Sequence, residues 1–185
     1  MSWMTTPDPP EMKDRFKHAM RRLASTVTII TTECAGQRYG MVATAVCSLG
    51  VDPPSLVVSV AHTASLHDPL LQTRRFCVNL LRVSQAQLVS VFSGQYSGEA
   101  RFQFGKWERH RSGLPVLCDA QANLLCDLDA SFCYGGHTVI VGRVADVLAA
   151  ETIEPLLYQN GSVASAHPLL GERSAADPGN TQVDL

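Results

Sequence analysis

No stretch of this 185-residue chain stays apolar for the ~18 residues that a membrane-crossing helix requires, so no membrane partner is expected. Residues 1–10 have neither a basic region nor an apolar core, which excludes the pattern of a secretory signal peptide and points to a cytoplasmic protein. An excess of one charge is missing too. Lys and Arg number 15 against 17 Asp and Glu, a formal net charge of −2. Nucleic-acid binders usually carry a basic face, so no nucleic-acid partner is expected, and any phosphate recognition has to be local. The six cysteines (Cys34, Cys47, Cys77, Cys118, Cys126, Cys133) are widely spaced and form no C-x-x-C pair. That spacing argues against a disulfide framework or a structural zinc site; such thiols act mostly as small buried apolar groups. Common enzymatic motifs are absent as well: there is no G-x-G-x-x-G after a strand, no G-x-x-x-x-G-K-[ST] and no G-x-S-x-G. His62 and His67, five apart, do not share a helical face and lack a clear third ligand, so no metal is expected.

What is present describes one globular domain. Hydrophobic residues make up 45% and charged residues 17%, enough for a real core. The division expected is a flexible segment at 1–10, a domain at 11–170 and a polar, turn-rich, disordered tail at 171–185. The chain is organised around residues 40–60, where small and β-branched residues alternate up to Ser48. A turn follows at Asp52-Pro53-Pro54, then a second apolar run to Val60. Small side chains leave backbone amides open on one side, and Thr44 and Ser48 add hydroxyls. Such a wall could take a flat, polar-edged ring, while periodicity alone favours a barrel strand packed with Ala and Thr.

Elsewhere, Met12, Phe16, Ala19, Met20 and Leu23 form the stripe of a one-sided helix over 11–23, with Asp8 and Glu11 placed as in a capping box. A strand is expected over 26–32, a turn at Ala35-Gly36-Gln37, and the central strand from Tyr39. Ser65-Leu66-His67-Asp68 reads as a helix start with Ser65 as N-cap, a place where open amides suit a phosphate. Residues 76–81 alternate as a strand. Ser84 and Gln87 are spaced as a capping box for a short helix carrying Leu88, Val91 and Phe92. Residues 93–112 are polar and glycine-bearing, a long surface excursion containing Arg101, Phe102 and Trp107. Two long strands over 120–132 and 138–148 meet at a glycine-bearing turn, Tyr134-Gly135-Gly136-His137. Strands outnumber helices and are joined by short turns, which suggests a closed, mainly antiparallel barrel with peripheral helices.

Five segments in register carry a resemblance. Residues 40–49 with the Asp52-Pro53-Pro54 turn, Ser65-Leu66-His67-Asp68, residues 75–80, residues 136–144 and Pro155-Leu156-Leu157-Tyr158 resemble the core of the flavin-reductase-like proteins, in that family's order and over roughly residues 16–163. These are the small components of two-component flavin-dependent monooxygenases. The resemblance implies a mainly β split barrel with peripheral helices, a homodimer with flavin in a groove near the subunit boundary, FAD or FMN as flavin, NADH or NADPH as reductant, and a partner monooxygenase that receives reduced flavin. It places Ala43, Thr44, Ala45, Val46, Cys47 and Ser48 beside the flavin ring and ribityl chain. Ala61, His62, Thr63, Ser65 and His67 fall near the flavin phosphate, joined by Arg101 and Phe102 as cofactor-binding residues. His137 matches the family histidine that faces the nicotinamide nucleotide; Tyr158, near the last motif, is placed either to cover a bound ring or to pack as a core tyrosine.

The chain departs from the family at Gly136, where an acidic residue is common, at His62 and Thr63, where basic residues are common, and at Val163, where an aromatic is frequent. Hydride transfer between a nicotinamide and a flavin needs little acid–base help from protein, so no catalytic triad is expected and His137 assists by position. The alternative to an NAD(P)H:flavin oxidoreductase is a non-enzymatic flavin-binding or electron-carrier protein on the same barrel.

Overall fold

The computed structural model describes residues 9–167. Helix α1 (Pro9–Met20) is followed by strands β1 (Ser25–Thr26), β2 (Thr28–Cys34), β3 (Gln37–Ala43), β4 (Val46–Val51) and β5 (Pro54–Ala61). Helix α2 (His67–Thr73) leads into β6 (Arg75–Leu80). Helical turns at Val83–Gln85, Leu88–Ser90, Val91–Gln95 and Gly98–Gln103 carry the chain to the short hairpin β7 (Trp107–Arg109) and β8 (Pro115–Leu117). The long hairpin β9 (Ala122–Tyr134) and β10 (His137–Ala149) follows, then β11 (Leu156–Gln159) and β12 (Ser162–Ser165). The expected tail at 171–185, the segment 1–8 and Asp8 of the expected capping box lie outside the described residues. No helix among the described residues is long and apolar enough to cross a membrane.

Seven strands form one sheet in the order β3-β2-β6-β9-β10-β5-β4, every neighbour antiparallel. Its two edges, β3 and β4, are consecutive in the chain but not paired with each other. The fold is a split β-barrel, and the barrel is not closed. This corrects two expectations, closure and a single strand through residues 40–48. Ala43 is registered on Thr28, whereas Val46 is registered on Val58, so the two halves of the stretch belong to different neighbours. Between them Thr44 and Ala45 step across the split. The Thr28 hydroxyl donates to the Ala43 carbonyl at 2.8 Å, and the Ser59 amide donates to the Ala45 carbonyl at 3.1 Å, which pins both sides of the step.

Period-two alternation sends Leu56, Val58, Val60 and Ile140 into the barrel with Ile30, Phe76 and Val78. A second core lies outside the barrel wall, where Val27 and Ile29 meet Leu88, Val91, Phe92, Phe102 and Leu156. Strand β2 is buried on both faces for this reason. On β6, the buried Asn79 side chain donates to the Ile29 carbonyl and accepts from the Leu117 amide and the Asn123 side chain, each at 2.8 Å. That satisfied network ties β2, β8 and β9 to β6, so the asparagine serves the fold.

Local expectations are corrected at four places. Ser65 is not the cap of α2: the helix starts at His67 behind buried Leu66, whose side chain goes into the core, and no side-chain bond caps it. The box expected at Ser84 and Gln87 is instead closed by Gln85, whose Oε1 accepts from the Arg82 amide at 3.0 Å while its Nε2 donates to the Cys118 carbonyl at 3.1 Å. Residues 93–112 are no bare surface excursion, because Phe102 is buried against Phe92 and Trp107, with ring centroids at 5.4 and 5.0 Å. Helix α1 forms where a helix was expected but ends at Met20, and Met12, Phe16, Met20 and Leu23 of the apolar stripe are exposed.

Candidate functional site

Strands β4, β5 and β10 lie side by side, in register at Val46, Val58 and Ile140. One residue along, the Ser59 amide bonds the Ala45 carbonyl and Ser59 pairs with Val139. Two residues further, Ala61 pairs with His137. Because Leu56, Val58 and Val60 point inward, the alternate residues Val57, Ser59 and Ala61 share the outer face with Val139, Val141 and His137. Cys47, opposite Val57, extends that face onto β4, and Ala45 continues it just before the strand, where its carbonyl accepts the Ser59 amide. The result is a floor of small and β-branched side chains, with His137 at one end. From the Val46 row to the His137 row is three residues, about 10 Å at strand rise, the span of a fused ring system. No carboxylate stands on this floor, so the donor set (amides, the Ser59 hydroxyl, imidazole at the rim) fits a ring that gains negative charge on reduction.

At the His137 end, the loop after β5 folds back on the β9–β10 hairpin. The His62 amide donates to the Gly136 carbonyl at 2.9 Å. The rings of His62 and His67 lie 5.0 Å apart, although their sequence spacing gave no reason to pair them. His67 Nδ1 is 2.7 Å from Asp68 Oδ1 and its Nε2 is 2.9 Å from Thr138 Oγ1. His62, Thr63, Ser65 and His137 are exposed, Ala61 is half-buried. Thus Ala45, Cys47, Ala61, His62, Thr63, Ser65 and His137 come to one continuous surface, whereas the predicted flavin residue His67 turns inward to Thr138 and is kept from it. Thr138, buried behind this surface, and Asp68 hold the His67 ring; in the sequence Asp68 was marked only as part of a helix start and Thr138 only as part of a strand motif, neither with a site role.

The other predicted residues fall elsewhere. Ala43 and Thr44 line a cavity of about 230 Å³ with Val27, Val42, Val89, Ser93 and Tyr158, so Tyr158 meets the split rather than His137. Tyr158 is held there by pairing of β11 with Ser25 of β1 and with Val163 of β12. Val46 and Ser48 line a mainly apolar cavity of about 410 Å³ that reaches Thr28, Leu124 and Val147, and Cys47 of the floor borders it as well. The stretch at residues 43–48 therefore separates two cavities. Arg101 is committed to the fold: its Nε donates to the Tyr96 carbonyl at 2.8 Å and its Nη1 to the Gly40 carbonyl at 2.7 Å. Phe102 is in the outer core. A third cavity, about 200 Å³, lies at Arg75, His110 and Asp146, where the Arg111 guanidinium holds the Asp146 carboxyl below its usual range. Among the described residues, no group of three or more His, Cys, Asp or Glu is arranged to hold a metal ion.

Known proteins share this fold. The profile of the flavin reductase like domain matches residues 20–167. The reductase component of FADH(2)-dependent resorcinol hydroxylase from Rhizobium sp. (strain MTP-10005) is 40% identical over 162 residues, 86% of this chain and 90% of that one. FMN reductase (NADH) RutF from Methylorubrum populi is 36% identical over 170 residues, 86% of this chain and 84% of that one. The solved structure of flavin reductase PheA2 in its native state superposes with a TM-score of 0.76 at 32% identity, covering 84% of this chain and 98% of that one. With the split barrel, the small-residue floor and nearly the whole described chain matched, this protein belongs to the flavin reductase like domain family.

Proposed function

We propose that this chain is an NAD(P)H:flavin oxidoreductase that reduces FAD or FMN and supplies reduced flavin to a partner monooxygenase. The carrying observation is the small-residue floor of β4, β5 and β10 ending at exposed His137, in a chain whose relatives are an NADH-dependent FMN reductase and the reductase component of an FADH(2)-dependent hydroxylase. When bound, the nicotinamide supplies the hydride and the flavin ring takes it up. The protein's share is position. Ala45, Ser59, Ala61 and Val139 give a flat support, because none has a side chain long enough to fill the space above it. Backbone amides at the Thr44-Ala45 step and the exposed Ser65 and Thr63 hydroxyls hold the polar end. His137, rising from the corner of the hairpin, faces the second nucleotide.

A homodimer in the cytoplasm fits the remaining surface. The exposed apolar side chains of Met12, Phe16, Met20 and Leu23, with exposed Leu49, Val51, Val147 and Leu148, need cover, and the six thiols are unpaired. The test is NADH oxidation by purified protein with added FMN and with added FAD. Saturable, flavin-dependent oxidation with at least one of them is expected. No turnover with either, alongside measurable flavin binding, would replace the enzyme by a flavin carrier.

A further inference from the structure

The two neighbours of His137 are both tied to the loop that carries the predicted flavin-phosphate residues. Gly136, before it, accepts the His62 amide at 2.9 Å. Thr138, after it, shares a hydrogen bond with His67 Nε2 at 2.9 Å. Thr138 is 2% exposed and points into the barrel, opposite Val60, so no ligand on the outer floor reaches it. The His67 side chain is only 12% exposed. Its other nitrogen is taken by Asp68 at 2.7 Å. With Nδ1–H donating to the Asp68 carboxylate, Nε2 is left as the acceptor for the Thr138 hydroxyl. The backbone that carries His67 is itself fixed, because Leu66 before it and Leu70 after it are fully buried in the barrel core.

This ring is thus fully engaged within the protein, unlike exposed His62 and His137. We propose that His67 is a positioning residue for the nicotinamide side: through Thr138 it sets the start of β10 and so the place of His137. The loop of residues 61–68 then serves both halves of the site, its exposed hydroxyls one ligand and its His67 ring the other. This inference rests on the proposed role of His137 at the nicotinamide.

Thr138→Val keeps shape and burial but removes the hydroxyl, and His67→Phe removes its partner. Each is expected to raise the KM for NADH about fivefold, the usual value of one such bond, with flavin affinity and kcat within about twofold of wild type. The double variant should be no worse than His67→Phe alone, because that substitution already removes the one bond the two residues share. Thr138→Ser, which restores the hydroxyl, should return KM to near wild type. Circular dichroism and thermal melting select folded variants, and either single variant suffices if the other does not fold. If His137→Ala raises the KM while Thr138→Val and His67→Phe leave it unchanged, the positioning role is overturned and the nicotinamide site stands. If His137→Ala has no effect on KM, the nicotinamide assignment falls first and the positioning role with it. Additive losses in the double variant, or loss of flavin affinity in Thr138→Val, would also overturn it.

Discussion

Cys47 and Cys126 carry the same thiol in opposite surroundings. Burial pushes the Cys126 thiol up to about 12, and the nearby Asp127 carboxylate adds to it. Burial raises Cys77 as well. Neither thiol offers thiolate near neutral pH, so both serve as packing groups. Cys47 is exposed, and it stands on β4 opposite Val57, on the outer floor. Alkylation at about pH 8, just below the ordinary thiol range, should therefore reach Cys47 and exposed Cys133 early and spare Cys77 and Cys126, as peptide mass spectrometry would read it. Saturating FMN or FAD should slow Cys47 modification several-fold. A Cys47 rate indifferent to both flavins would take this strand out of the flavin site.

At the scale of elements, periodic patterns were legible and partners were not. The stripe of Met12, Phe16, Met20 and Leu23 predicted α1 correctly, yet those residues are 44–62% exposed because nothing within the described chain covers them. Residues 40–48 have continuous strand character, but no local pattern reveals that Ala43 pairs with Thr28 while Val46 pairs with Val58. Likewise Ser65 has the residue type of a cap, and what displaced it was the demand of Leu66 for the core. The exposed stripe carries its own prediction. If it closes a two-fold dimer, Phe16→Glu removes two buried rings per dimer. At ~1.5–3 kcal/mol per ring, the dissociation constant should rise at least about 100-fold. Analytical ultracentrifugation over a concentration series would show it. A variant with wild-type association would assign α1 to some other surface.

For the whole molecule, the question is how firmly the flavin is held, and charge decides it. Ala45 and Cys47 were legible in the sequence by their small-residue stretch and His137 by its hairpin corner, which leave local traces, but not Val57, Ser59 and Val139, which join them only through strand register. The family resemblance also nominated Arg101, the one arginine in the predicted flavin set, whose guanidinium is in fact spent on the Tyr96 and Gly40 carbonyls; that commitment depends on a contact 61 residues distant and leaves no local sign. His62 and Thr63 stand where basic residues are common in the family. Among the described residues, the surface proposed for the flavin offers amides, hydroxyls and imidazoles and no arginine or lysine to clamp phosphate. Stacking and a few neutral hydrogen bonds support about 8 kcal/mol, a micromolar dissociation constant, and not the nanomolar hold of a permanent group. Purified protein should lose its yellow colour on gel filtration. NADH oxidation should then depend saturably on added FAD or FMN, and an apo-monooxygenase should capture the reduced flavin without a stable complex. Flavin that stays stoichiometric through exhaustive dialysis, with activity independent of further flavin, would show a tightly held group, and with it a charge partner for the phosphate that lies beyond the floor of β4, β5 and β10.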